Sequence, residues 1–306
     1  MTKAPLNLAA SARARLTQRA RERQENAQLV MTRYAIERLL YRLGVSPFRE
    51  AFVLKGAMLF SLWAPTPYRA TGDLDLLGFG DNAPARVAEI FRQVLEVPSE
   101  DGVIFKPETL RATAARAEDE YSGVALDVQA ELAGARLPIH IDIGYGDAIT
   151  PGVLDIDYPS LLDLPMPRLK AYPPETVLAE KFQAMTALGI ANSRMKDFFD
   201  VWAIANTFTF EGPVLAEAIA ATFARRETEP PAKPPLALSA AFADAKQAQW
   251  TAFLRRTDIV LAPEPFPDIQ AQITALMMPP ARAVAAAQRF DQRWQPGGPW
   301  RNVQAE

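Results

Sequence analysis

The chain contains no cysteine and a single histidine. The first absence excludes disulfides, thiolate nucleophiles and zinc–cysteine sites, and it fits a cytoplasmic protein. The second excludes multi-histidine metal centres, and it makes His140 a structural or peripheral residue rather than a ligand. No apolar run reaches the ~18 to 20 residues of a membrane helix. The first residues show no apolar core followed by a small-residue cleavage site, so neither a membrane nor a secretory route is expected. Internal repeats and long low-complexity tracts are missing too. Acidic residues are scarce at the start: residues 1 to 50 hold ten Lys/Arg against four Glu, a charge of +6, which leaves −9 on the rest. Such a basic helical arm either meets phosphates or packs as a solvated helix on the acidic body.

What is present is a globular composition of 306 residues, enough for about two domains. Residues 8 to 43 carry apolar side chains at helical spacing. Short strands are expected at 52–54 and 73–77, a helix at 57–63 and another at 83–96. Further strands are expected at 103–105, 110–115, 124–132 and 137–143. Beyond residue 172 the pattern turns helical. "PPETVLAEKFQAMTAL" opens with a proline pair suited to a first turn, and Ser193 stands as the N-cap of the next helix. Helices follow at 213–225 and 238–256, joined through the proline-rich "TEPPAKPP". The terminal "RWQPGGPWR" reads as a loop that Trp294 and Trp300 pin to the body. The expected fold is α+β: a small mixed sheet flanked by helices, then a helical C-terminal part. The expected divisions are an N-terminal arm (1–45), a sheet-bearing core (46–172) and a helical domain (173–306) contributing to the active site.

Carboxylates carry the chemistry. In "RATGDLDL" the strand period of two sends Asp73 and Asp75 to one face and Leu74 and Leu76 to the other. Paired carboxylates repel unless water or a cation separates them, and magnesium suits oxygen donors of this kind. In "LPIHIDIGYGD" Ile139, Ile141 and Ile143 alternate with His140 and Asp142, so Asp142 is a candidate third carboxylate. Three carboxylates from neighbouring strands match a two-magnesium site for phosphoryl or nucleotidyl transfer. Asp127 and Glu131 read as a solvated face. In "LKGAMLF", Gly56 sits where a strand would hand over to a helix and a phosphate could approach the backbone.

Lys181 falls inside the apolar stripe of its helix, flanked by Val177, Leu178, Ala184, Met185 and Leu188. It either snorkels or serves a buried anion. Asp197 shares a face with Val201 and Ile204, so it points inward and can orient Lys181. Lys196 and Asp200, four apart, read as a surface ion pair.

Gly56, Arg69-x-Thr71-x-Asp73-x-Asp75 and "AEKFQAMTALGIANSRMKDFFD" together resemble the AbiEii-type nucleotidyltransferases. These are toxin components of type IV toxin–antitoxin and abortive-infection systems, within the DNA polymerase β-like nucleotidyltransferase superfamily. The resemblance spans about residues 50 to 205 and is most specific over 174–204. It implies magnesium on Asp73 and Asp75, with Asp142 as a weaker carry-over. It implies nucleotide contacts at Lys55, Gly56, Ala57, Thr71 and Lys181, with Asp197 in support of Lys181. The superfamily carries Gly or Ser where this chain has Ala57. The implied activity is transfer of a nucleotide from an NTP to an RNA hydroxyl, some family members acting on the tRNA 3′ end. A cognate antitoxin is the implied protein partner. Two alternatives share these residues: nucleotidylation of a protein, including the chain itself, and a nucleotide- or RNA-binding module without catalysis. A glycosyltransferase also uses Asp-x-Asp with a divalent metal, but no second nucleotide-sugar domain is evident.

Overall fold

The computed structural model describes residues 7–63, 71–114, 123–257, 259 and 262–302. Arg69 and the expected strand end at Ala115 lie outside the described residues. The fold is α+β, a mixed sheet flanked by helices. The chain divides into two compact units, one formed by Met1–Gly146 with Leu154–Ala171, the other by Asp147–Val153 with Tyr172–Glu306.

The first unit opens with α1 (Leu8–Glu22) and α2 (Ala27–Val45). The single helix expected over 8–43 breaks here, because Gln24 takes a positive φ of 55° and the Asn26 side chain accepts the Leu29 N–H to cap α2. Then come β1 (Phe52–Lys55), α3 (Leu59–Trp63), β2 (Asp73–Gly78) and α4 (Pro84–Leu95). β3 (Val103–Ala114), β4 (Gly123–Leu132), β5 (Ala135–Tyr145), β6 (Leu154–Asp157) and β7 (Arg168–Ala171) complete the unit. Two expected strands at 103–105 and 110–115 are one strand, β3. Its pairing with β4 slips between Lys106 and Arg111, where Pro107 has no N–H to donate.

The seven strands run in the order β3-β4-β5-β2-β1-β7-β6. The pairs β2/β5 and β1/β7 are parallel; the others are antiparallel. Leu74, Leu76, Ile139, Ile141, Val124 and Leu126 are buried on one face, against which α1, α2 and α4 pack. The opposite face carries the polar alternates of the same strands.

α2 is not a solvated helix. Arg33, Glu37, Arg38 and Arg42 are all buried. Each charge is matched inside: Arg33 by Glu25, Arg38 by Glu37, Arg42 by Asp101.

The second unit holds α5 (Pro174–Leu188), α6 (Met195–Thr207), β8 (Phe210–Glu211), α7 (Gly212–Arg225), α8 (Ala240–Thr257), α9 (Phe266–Ala285), β9 (Gln292–Trp294) and β10 (Trp300–Asn302). Ser193 does not cap α6. The cap position is Arg194, whose N–H is held by the Asn192 side chain at 2.9 Å. The expected terminal loop is a hairpin added to β8. Both tryptophans pin it, Trp294 donating to the Ala205 carbonyl at 2.8 Å and Trp300 to the Leu276 carbonyl at 3.0 Å. Leu276 is four residues before Pro280, which has no N–H, so its carbonyl is left for the indole. No helix among the described residues is long and apolar enough to cross a membrane.

Candidate functional site

β1 and β2 pair so that Lys55 lies opposite Asp75. The chain then turns at Gly56, with φ +71°, into a short 3-10 turn (Gly56–Met58) that leads to α3. A Cβ placed on Gly56 would lie 1.9 Å from Asp75 Oδ2. The Asp75 carboxylate therefore lies directly on the Gly56 backbone, and only glycine meets both demands. Asp73 is exposed and shares its strand face with the half-buried Asp75. Thr71 is spent locally, its hydroxyl 3.4 Å from both the N–H and the carbonyl oxygen of Asp73. Ala57 is buried, so its side chain belongs to the core.

Parallel pairing sets Asp142 of β5 beside Asp75 and His140 beside Asp73. On the next strand Asp127 faces His140. His140 bridges two carboxylates, Nδ1 to Asp127 at 2.8 Å and Nε2 to Asp142 at 3.2 Å. Asp127 is exposed, as its place on the solvated face implies, and it also engages His140. Among the described residues no three His, Asp or Glu side chains converge closely enough to hold a metal ion by themselves.

The hydrogen bond that His140 donates to Asp127 is the main cause that raises its pKa, opposed by partial burial and aided by Asp142. The only imidazole in the chain gives an unambiguous NMR titration. Its midpoint is expected above the ordinary 6.5. Asp127→Asn should lower it more than Asp142→Asn. Since the folded pKa is the higher one, the pair's stabilisation is complete below pH 6.5 and fades as pH rises through the folded value. A midpoint at or below 6.5 would contradict the geometry.

In the second unit α5 presents Lys181 to α6. Its ammonium contacts Asp197 Oδ1 at 2.6 Å and Asp200 Oδ2 at 2.9 Å. Asp200 is fully buried and Asp197 nearly so. The surface pair expected between Lys196 and Asp200 is therefore corrected: Asp200 points inward, one helical turn beyond Asp197, and both grip Lys181. The three-residue spacing of the two aspartates was the available signal. One residue before Lys181, Glu180 accepts from Tyr172 at 3.1 Å and lies 3.7 Å from Arg226. Arg226 also reaches Gln183 and Asp147. Burial, then the neighbouring Glu180 and Asp147, push the Tyr172 hydroxyl far up.

The family described as "Nucleotidyl transferase AbiEii toxin, Type IV TA system" matches residues 38–275 of this chain. Comparison with curated proteins finds no match. Two crystal structures from Helicobacter pylori are similar at 13% identity: a candidate nucleotidyltransferase (TM-score 0.45, covering 86% of this chain and 96% of that one) and JHP933 (TM-score 0.47, 86% and 94%).

Proposed function

The chain belongs to the AbiEii nucleotidyltransferase toxin family of type IV toxin–antitoxin systems, and on that premise we propose that it transfers a nucleoside monophosphate from an NTP to an RNA hydroxyl. The tRNA 3′ end is the acceptor in this reading, and pyrophosphate is the product. A cognate antitoxin is its protein partner, and the cytoplasm, where NTPs and tRNA occur, is its compartment.

One observation carries the reading: the Asp75 carboxylate rests on the Gly56 turn while Asp73 projects from the same strand face. Two carboxylates fit magnesium, which takes hard oxygen donors and leaves positions for water and phosphate oxygens. Asp142, beside Asp75, becomes a third donor once it gives up His140. Bound magnesium supplies charge neutralisation on the triphosphate and a more acidic acceptor hydroxyl. Gly56, lacking a side chain, admits a phosphate to the backbone, and position 57 offers its N–H rather than a hydroxyl. Lys181 supplies positive charge to a phosphate oxygen, its ammonium fixed by Asp197 and Asp200. Lys55 flanks the turn as a further nucleotide contact, and Thr71 joins it once its hydroxyl leaves the Asp73 backbone. The acceptor oxygen attacks the α-phosphorus, the bond to the α–β bridging oxygen breaks, and pyrophosphate leaves.

The test is incubation with Mg²⁺, total tRNA and each α-³²P-labelled NTP in turn, with Asp73→Asn as control. Label on tRNA that disappears in the variant supports the proposal and names the base. Label on the protein instead moves the acceptor to a protein hydroxyl. NTP binding without label on either overturns the catalytic reading in favour of a binding module.

Gly56→Ala gives a separate check. The left-handed backbone costs about 1–2 kcal/mol with a Cβ, and the new methyl must displace the Asp75 carboxylate. A misplacement on the order of 1 Å costs roughly a hundredfold in rate. Transfer should fall by about that factor, and Tm by only a few degrees. Retention of full activity would separate Asp75 from the reaction.

A further inference from the structure

Against α1, α2 and α3 of the first unit lies a partly enclosed cavity of about 60 Å³. Its wall brings together Arg19, Arg23, Arg33, Glu37, Ser61 and Tyr158. Its charges are unequally matched. Arg33, buried, pairs with Glu25 at 2.8 Å. Glu37 is consumed by Arg38, by the Ser160 hydroxyl at 2.9 Å and by the Leu161 N–H at 2.7 Å. Arg19 donates one Nη1 bond, to the Leu161 carbonyl at 3.0 Å, and has no ion pair among the described residues. Its Nε is buried with no hydrogen-bond partner. The Arg23 side chain has neither an ion pair nor a hydrogen bond among the described residues. Two guanidinium charges and one buried N–H donor are therefore uncompensated at the cavity wall. A buried donor without a partner is costly, and native structures rarely keep one without a reason.

We propose that this cavity is a binding site for a single phosphate dianion, inorganic or as a terminal monoester, separate from the Asp73/Asp75 site. The size agrees. A water takes about 10–15 Å³ of such space, so the cavity holds several waters or one tetrahedral oxyanion. A diester in the middle of an RNA strand would bring one charge and two bulky substituents, which fit neither the charge nor the room. The chemistry agrees too: guanidinium forks match phosphate oxygens bidentately, and the Ser61 hydroxyl, hydrogen-bonded to Tyr158, lies in the same wall. The site is joined to the Gly56 turn, because the Tyr158 hydroxyl donates to the Met58 carbonyl at 3.2 Å. The inference does not depend on the proposed transfer reaction.

The test uses the full chain in EDTA, which removes the metal-dependent contribution of the Asp73/Asp75 site. Inorganic phosphate is titrated calorimetrically against sodium chloride of equal ionic strength. One saturable site per chain is expected, with a dissociation constant of about 1 mM or tighter. Arg19→Gln and the exposed Arg23→Gln should each weaken it about tenfold or more. Both variants should keep Tm within about 2 °C of the parent without phosphate. Ser61→Ala, a smaller change, should weaken binding more modestly. A 5′-phosphorylated and a 5′-hydroxyl oligoribonucleotide then compete with phosphate. Displacement by the phosphorylated one alone makes an RNA end the ligand; displacement by neither makes free phosphate the ligand. No saturable binding, or binding that Arg19→Gln and Arg23→Gln leave unchanged, overturns the proposal.

Discussion

Asparagine at position 75 is expected to lower nucleotidyl transfer by roughly a hundred- to a thousandfold or more, the scale seen when one electrostatic contact to a transition state is removed. The substitution keeps shape and removes charge. Half of the Asp73/Asp75 donor set goes, and the amide that replaces it is a poorer partner for a hard cation. Stability should move the other way or not at all. Two carboxylates on one strand face repel each other, so loss of one relieves strain in the metal-free protein. The opposing term is any attraction to the cross-strand neighbour Lys55, worth about 0.2–1 kcal/mol for such a pair. A scan without metal should therefore show Tm unchanged within a few degrees, while transfer measured with Mg²⁺ collapses. A variant that loses Tm and activity in proportion would mark Asp75 as a structural residue.

That contrast between local charge and fold explains what could be read from the chain. The period-two pattern at 73–76 and 139–143 needs no long-range knowledge, so the faces of Asp73, Asp75, His140 and Asp142 were legible. The inward face of Asp197 was legible for the same reason at helical period. Asp200 misled because a local rule was satisfied: a lysine four residues away looks like a partner until Lys181, nineteen residues back, is folded against it. The charges of α2 misled likewise, since nothing nearby in sequence reveals Asp101 as the partner of Arg42. β6 and β7 are four residues each and alternate with charge, too short to rise above loop. α9 was hidden by Pro279 and Pro280, which forbid a helix locally. The fold tolerates them because, at Pro280, Trp300 takes up the carbonyl of Leu276.

Alanine at position 101 is expected to destabilise the first unit by about 3–5 kcal/mol, the cost of stranding one partner of a buried ion pair. Arg42 and Asp101 are each almost fully buried and joined by bonds of 2.6 and 3.3 Å. Asp101 also accepts the Val103 N–H at 2.9 Å, so it ties α2 to the first residue of β3. Without the carboxylate Arg42 keeps carbonyl contacts to Val97 and Arg38 and the Phe105 ring. None of these carries a full negative charge. For a domain of this size the loss corresponds to a fall of roughly 6–20 °C in Tm. The pair's own worth is a different quantity, because two desolvated charges gain little over apolar side chains of similar volume. Arg42→Met with Asp101→Leu should therefore recover much of what Asp101→Ala loses. If the single variant melted within about 2 °C of the parent, water would have to reach Arg42, and α2 would not be the interior helix that its burial describes.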